Sequence, residues 1–167
     1  NQFLILDTMN FWMDNNLEDL EKVISKVNLI SINDEEAYLL TKEKSLENCA
    51  SKIIKKGPQY VIIKKGELGA ELYSKDEKFS LPSFRVKAID PTGAGDSFAG
   101  GLAAYLSKNN KIDFNSLKKG LILGTILASF TVEGLGTSRI ERVVKQNILE
   151  RLEIFINKNK IDLNLSI

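Results

Sequence analysis

The chain has no histidine and a single cysteine, Cys49. The first absence excludes histidine general bases, Ser-His-Asp triads and most zinc sites. The second excludes an internal disulfide and fits a reducing, cytoplasmic location. Neither sign of charge is in excess: 23 Lys and Arg stand against 22 Asp and Glu, a net charge of +1. Binding to nucleic acid by phosphate neutralisation usually leaves a basic surplus, so that class is set aside. No apolar run reaches the roughly 18 residues that cross a bilayer. The longest, Leu121 to Val132, is interrupted by Gly124, Thr125, Ser129 and Thr131. With no signal-peptide pattern either, no membrane partner is expected. A Walker-type NTPase is also excluded, because no Gly-x4-Gly-Lys-[Ser/Thr] occurs.

What is present is ordinary for a globular chain: 167 residues, 43% of them apolar and 27% charged. That is enough for one domain, or most of one, and excludes a disordered tail, a collagen-like repeat and a disulfide scaffold. Phe3-Leu4-Ile5-Leu6 follows Asn1 almost at once. Termini usually lead in with disposable polar residues, so the sequence reads as the C-terminal part of a longer protein.

Strand and helix patterns alternate through the first half. Phe3 to Asp7, Asn28 to Ile32 and Tyr60 to Lys64 read as buried strands. Thr8 to Asn16 reads as a loop, and Leu17 to Lys26, Asn33 to Leu40 and Ser45 to Lys56 as helices. Gly66 and Gly69 bracket a tight turn into Ala70 to Ser74, with Phe79 to Leu81 pairing nearby and Phe84 to Ile89 forming one more strand. After Asp90 the pattern is helical: Ser97 to Ser107, Phe114 to Phe130 and Glu141 to Asn157, the last with a Ser138-x-x-Glu141 capping box. Such alternation argues for an α/β sheet with helices on its faces.

Asp90-Pro91-Thr92-Gly93-Ala94-Gly95-Asp96-Ser97-Phe98 joins a strand to a helix. Pro91 pushes Asp90 towards an extended conformation. Gly93 and Gly95 permit unusual backbone angles, so their N–H groups and that of Ala94 can turn inward as an anion-binding nest. The helix that follows aims its unpaired N–H groups and positive end at the same spot. Asp96 beside it can accept a proton from an attacking hydroxyl. Gly100 and Gly101 then sit inside the helix at a cost of about 1 kcal/mol each relative to alanine, which close packing on a neighbouring backbone would offset.

The string from Asp90 to Phe98 resembles the C-terminal signature of the PfkB/ribokinase family of carbohydrate and nucleoside kinases. The resemblance implies that Asp96 is the catalytic base and that the Gly93, Ala94 and Gly95 backbone holds the transferred phosphoryl group. Asn33-Asp34-Glu35-Glu36 is similar to the family's Asn-x-x-Glu motif, which helps place magnesium and phosphates. It is also a capping-box pattern, and both roles are expected of Asn33 and Glu36 together. Val61 to Ala70 resembles the family's strand-turn-strand beside ATP, which implicates Lys64, Gly66 and Gly69. Lys64 is either a point charge for a phosphate or a solvated lysine. Ala128 to Ser138 resembles the stretch that helps hold a monovalent cation, which implicates Asp90, Thr92, Thr131, Gly134 and Gly136. Thr125 stands where the family often has an asparagine in the adenosine pocket. Asp7-Thr8-Met9-Asn10 resembles an Asp-x-Asn segment with altered spacing.

The fold so implied is a ribokinase-like three-layer α/β/α sandwich, its sheet mostly parallel and followed by helices. Residues 1–167 would be its C-terminal, ATP-binding and catalytic part, with the N-terminal half and lid outside them. The implied function is transfer of the ATP γ-phosphate to a hydroxyl of a sugar or nucleoside, with Mg2+ and in some members K+. This half alone is expected to be inactive on a sugar. Two other readings stay open. A non-catalytic nucleotide-binding protein would use the same fold without turnover. A dinucleotide-binding oxidoreductase would use Gly93-x-Gly95-x-x-x-Ala99, with Asp113 about 20 residues on. The particular sugar and the oligomeric state are not written in these residues.

Overall fold

The computed structural model describes residues 2–109 and 111–162. The chain divides between Leu81 and Pro82 into two compact units. The first holds β1 (Ile5–Asp7), α1 (Asn10–Asn15), α2 (Leu17–Ile24), β2 (Leu29–Asn33), α3 (Asp34–Thr41), α4 (Leu46–Ile54), β3 (Tyr60–Lys64), β4 (Ala70–Tyr73) and β5 (Lys78–Leu81). They form one sheet in the order β1-β2-β3-β4-β5. The first two ladders are parallel and the last two antiparallel. The connections explain the difference. Helical crossovers separate β1, β2 and β3, as parallel pairing requires, while short turns join β3 to β4 and β4 to β5. The turn after β3 is a single 3₁₀ turn, Gly66–Leu68, closed by Gly69 at a φ of 97°, where a side chain would be strained.

One face of the sheet carries Ile30, Ile32, Val61 and Ile63, which pack with Leu20 and Ile24 of α2, Ala37 and Leu40 of α3, and Cys49, Ala50 and Ile53 of α4. Leu29, Ile62 and Leu72 alternate with them and are also fully buried. Burial of both faces is why these strands read as unbroken apolar runs. The expected loop from Thr8 to Asn16 contains a helix, α1. It lacks a side-chain cap and any helical period, and Met13 is its buried residue, packed in the core cluster. Tertiary packing makes this turn of helix.

The second unit holds α5 (Ala94–Leu106), α6 (Phe114–Thr131) and α7 (Lys145–Asn159). The helices α5 and α6 pack antiparallel with their backbones nearly touching. A Cβ added to Gly101 would lie 2.9 Å from the Gly124 Cα, and one on Gly124 would lie 2.7 Å from the Phe98 carbonyl oxygen. This is the close packing that the two adjacent helix glycines implied, but only Gly101 takes part. Gly100 faces open space, with nothing within 4 Å of an added Cβ. Gly100→Ala should therefore stabilise the chain by about 1 kcal/mol, a rise of about 2–4 °C in a thermal melt.

Two expectations fail here. Phe84 to Ile89 joins no ladder. Ile89 and Asp90 donate instead to the Val132 carbonyl, and Phe84 packs beside Phe155 and Arg151 of α7. Nor does α7 start at Glu141. Glu141 accepts the Thr137 hydroxyl, Ile140–Arg142 is a 3₁₀ turn, and the amide of Val144 is capped by the Asn147 side chain at 3.2 Å. Arg151 fastens α7 to the end of α6. Its guanidinium lies 3.5 Å from the centre of the Phe130 ring and donates to Ser129 Oγ at 3.0 Å and Glu133 Oε2 at 2.9 Å. Among the described residues no helix is long and apolar enough to cross a membrane.

Candidate active site

In the first unit the chemistry gathers at the carboxyl ends of β1, β2 and β3. The parallel register makes this so: Asp7 lies opposite Ser31, and Asn33 opposite Lys64. Because side chains alternate along a strand, Asp7, Ser31, Asn33 and Lys64 share one face. Asn33 is the N-cap of α3. Its Oδ1 accepts from the Glu36 amide at 2.7 Å, and Glu36 Oε2 accepts from the Asn33 amide at 3.0 Å. The capping box is therefore complete, and it occupies one carboxylate oxygen of Glu36. Glu36 is 5% exposed. Burial pushes its carboxyl above the ordinary 4.5, against the amide of Asn33 and the charge of Lys64, which lower it.

That shift has a consequence for stability. A group whose pKa rises on folding contributes stability below its unfolded pKa and loses it as pH climbs through the folded one. At neutral pH the charged Glu36 thus works against the fold. Glu36→Gln should melt at a higher temperature than the parent chain at pH 7, with the difference gone at pH 4. A lower melting temperature at pH 7 would mean that the carboxylate serves the fold alone. An acid kept where it costs stability is a mark of function.

Lys64 is not a free solvated lysine. Its Nζ lies 2.8 Å from Asp7 Oδ1, with the two side chains 19% and 32% exposed. Sequence reasoning missed this partner. The signal was there: an apolar strand ending in an acid, parallel to one ending in a lysine. Two buried hydroxyls nearby, Ser31 Oγ and Thr8 Oγ1, have no hydrogen-bond partner among the described residues. Leaving such a group unsatisfied costs about 1–3 kcal/mol. Gly66 is exposed at the tip of the turn, and Gly69 is buried at its base.

In the second unit the Asp90–Phe98 segment forms the start of α5. Gly93 is the N-cap at a φ of 79°, left-handed as expected. The Ala94 amide departs from the expected nest, since it donates to the Pro91 carbonyl at 3.1 Å. The amides of Gly93, Gly95 and Asp96 have no backbone acceptor among the described residues. They are the N–H groups that a helix start leaves unpaired, and they carry the positive end of its dipole. Asp96 is exposed at the third helical position, and its carboxylate makes no hydrogen bond or ion pair among the described residues. An unpaired carboxylate beside unpaired amides can take a proton from a hydroxyl while the amides stabilise an anion.

Asp90, Thr92 and Gly136 are brought together. Asp90 Oδ1 accepts from the Thr92 amide at 2.9 Å and Oδ2 from the Gly136 amide at 3.4 Å. The Thr92 amide, then the Thr92 side chain and the Gly136 amide, hold the Asp90 carboxyl below its usual range. Thr131 is turned elsewhere: its hydroxyl donates to Ser97 Oγ at 2.6 Å, which ties the end of α6 to the first turn of α5. Its carbonyl accepts from the Gly134 amide. Thr125 is buried within α6, its hydroxyl on the Leu121 carbonyl at 2.9 Å. Asp113 does not end a strand, as a dinucleotide fold would need. It caps α6, accepting from the Ser116 amide at 2.8 Å.

Comparison with known proteins follows the same lines. The model of the pfkB family carbohydrate kinases matches residues 5–142. The chain is 27% identical over 131 residues to the inositol 3-kinase of Arabidopsis thaliana, covering 78% of this chain and 33% of that protein. It is 39% identical over 95 residues to the nucleoside kinase of Methanocaldococcus jannaschii, covering 56% of this chain and 29% of that one. Its fold is similar to the aminoimidazole riboside kinase of Salmonella enterica, solved with aminoimidazole riboside and an ATP analog. That match has a TM-score of 0.80 at 22% identity and covers 90% of this chain and 52% of that one. The chain thus spans about a third of these two relatives and half of the solved structure.

Proposed function

The chain belongs to the pfkB family of carbohydrate kinases, and from that premise we propose that it is the ATP-binding and catalytic part of a kinase. The reaction is transfer of the ATP γ-phosphate to a hydroxyl of a sugar or nucleoside. The observation that carries this reading is the start of α5: the Asp96 carboxylate, with no partner among the described residues, beside amides that the helix leaves unpaired.

Asp96 accepts the proton of the attacking hydroxyl. The amides of Gly93, Gly95 and Asp96 stabilise charge on the oxygens of the phosphoryl group as it transfers, and the Ala94 amide joins them only by leaving Pro91. In the first unit Lys64 keeps donor hydrogens beyond the one given to Asp7, and these can serve a phosphate oxygen. Glu36, buried and with one oxygen on Asn33, suits a hard cation held mostly through waters and phosphates. Among the described residues no group of three or more His, Cys, Asp or Glu gathers as a metal cage, and such an ion needs none. Bound Mg2+ neutralises charge on the nucleotide phosphates. Gly66 and Gly69 shape the turn beside the nucleotide. The loop where Asp90, Thr92 and Gly136 meet would hold K+, with the backbone of Gly134 beside it; the Thr131 hydroxyl is already on Ser97.

ADP formation by the whole protein, offered a panel of sugars and nucleosides, tests the reading. It should require Mg2+ and one class of acceptor, while the present chain binds MgATP without turnover. A whole protein that binds MgATP but phosphorylates no acceptor would favour a non-catalytic nucleotide-binding protein. NADH binding would revive the oxidoreductase.

A further inference from the structure

We propose that Asp7 is a positioning residue for nucleotide binding: it holds the Lys64 ammonium in place at the carboxyl end of the sheet, ready for a phosphate. The inference rests on the reading of this edge as the nucleotide side.

A lysine head on a four-carbon stem is flexible, and pinning it before the ligand arrives removes a cost of binding. Asp7 Oδ1 takes one of its three donors at 2.8 Å, which leaves two for a phosphate oxygen. The pair is partly exposed, and exposed pairs contribute little to stability. Its value to the fold is therefore small, whereas its place is not arbitrary. It bridges the ends of β1 and β3, across the strand between them, on the face that also carries Asn33. Both members are close enough to Glu36 to act on it, with opposite signs. Ser31, opposite Asp7 in the register and on the same face, carries a fully buried hydroxyl without a partner among the described residues. An orphaned hydroxyl on the face that holds the ammonium fits an edge shaped for a polar ligand.

The test is a double-mutant cycle on the full chain, read as the dissociation constant of MgATP by isothermal titration. Asp7→Asn should weaken binding about three- to tenfold. Lys64→Met should weaken it at least as much. If Asp7 acts through Lys64, adding Asp7→Asn to Lys64→Met should change nothing further, and Asp7→Glu should restore part of the affinity. Thermal melts of all four variants confirm folding. An Asp7→Asn effect of equal size with and without Lys64, or no effect at all, overturns the proposal and leaves the kinase reading standing. A parent chain that binds no MgATP overturns both.

Discussion

Asp96→Asn should lower the turnover of the whole protein about 10²- to 10⁴-fold while leaving MgATP affinity within about twofold. The substitution keeps shape but removes the negative charge and with it the ability to accept a proton. Because Asp96 is exposed and makes no bond to the rest of the protein among the described residues, the fold should lose little from the change. Its other role is that of an acid in the first turn of a helix, which is worth about 0.3–1 kcal/mol. The proposed catalytic role would be worth about 2.7–5.5 kcal/mol, from the same fold-change. The two readings thus differ by several-fold in energy and by the observable in which the energy appears. A variant that melts slightly lower and turns over normally would make Asp96 a helix-start acid and nothing more. Parallel rate and binding measurements separate these outcomes in one preparation.

Gly124→Ala should destabilise the chain by about 1–3 kcal/mol, a fall of several degrees in melting temperature. Alanine is the better helix former by about 1 kcal/mol, so the sign is set by packing alone. The new methyl would meet the Phe98 carbonyl oxygen at 2.7 Å and the ring of the same residue at 3.1 Å. The oxygen belongs to the backbone of α5 and cannot swing aside as a side-chain end could. Relief requires the two helices to part, which forfeits contacts along Leu102, Leu121 and Leu117, all fully buried. Gly101→Val should behave alike, for its Cβ would meet the Gly124 Cα. Gly100→Ala, one residue away, should move the melting temperature the other way. That reversal between adjacent residues is measurable by calorimetry, and a common sign for both would contradict the interface described.

The parts of the fold legible in the sequence are those where one local force decides. Tyr60–Lys64 matches the expectation residue for residue because a strand buried on both faces is a plain apolar run with a glycine turn after it. Asn33 and Glu36 were legible as a cap because each needs only the other. What was not legible depends on distant partners. α1 owes its turn to Met13 reaching the core, and no period announces it. Phe84 and Val86 alternate like a strand, yet the backbone hydrogen bonds at the end of that segment, from Ile89 and Asp90, go to Val132, 43 and 42 residues downstream. Of the candidate site, the left-handed turn at Gly93 was readable, but the helix begins at Ala94 rather than Ser97 and takes in Gly95, and the use of the Ala94 amide was not readable. The Asp7 pair with Lys64 spans a separation of 57 residues, and only the strand register brings its members together.

The crossing of α5 and α6 also sets a mechanical tolerance. At Gly101 and Gly124 the backbones leave no room to slide, so the crossing acts as a fulcrum. Asp96 lies about 7.5 Å from it along the helix axis, at 1.5 Å per residue. A tilt of about 8° about that fulcrum would displace Asp96 by about 1 Å, an error of the size that costs about 10²-fold in rate. The far arm of α6 ends at Thr131, whose hydroxyl is bonded to Ser97, so the lever is pinned beside the carboxylate as well as at its pivot. Two glycines and one threonine hydroxyl therefore determine how accurately the Asp96 carboxylate is aimed.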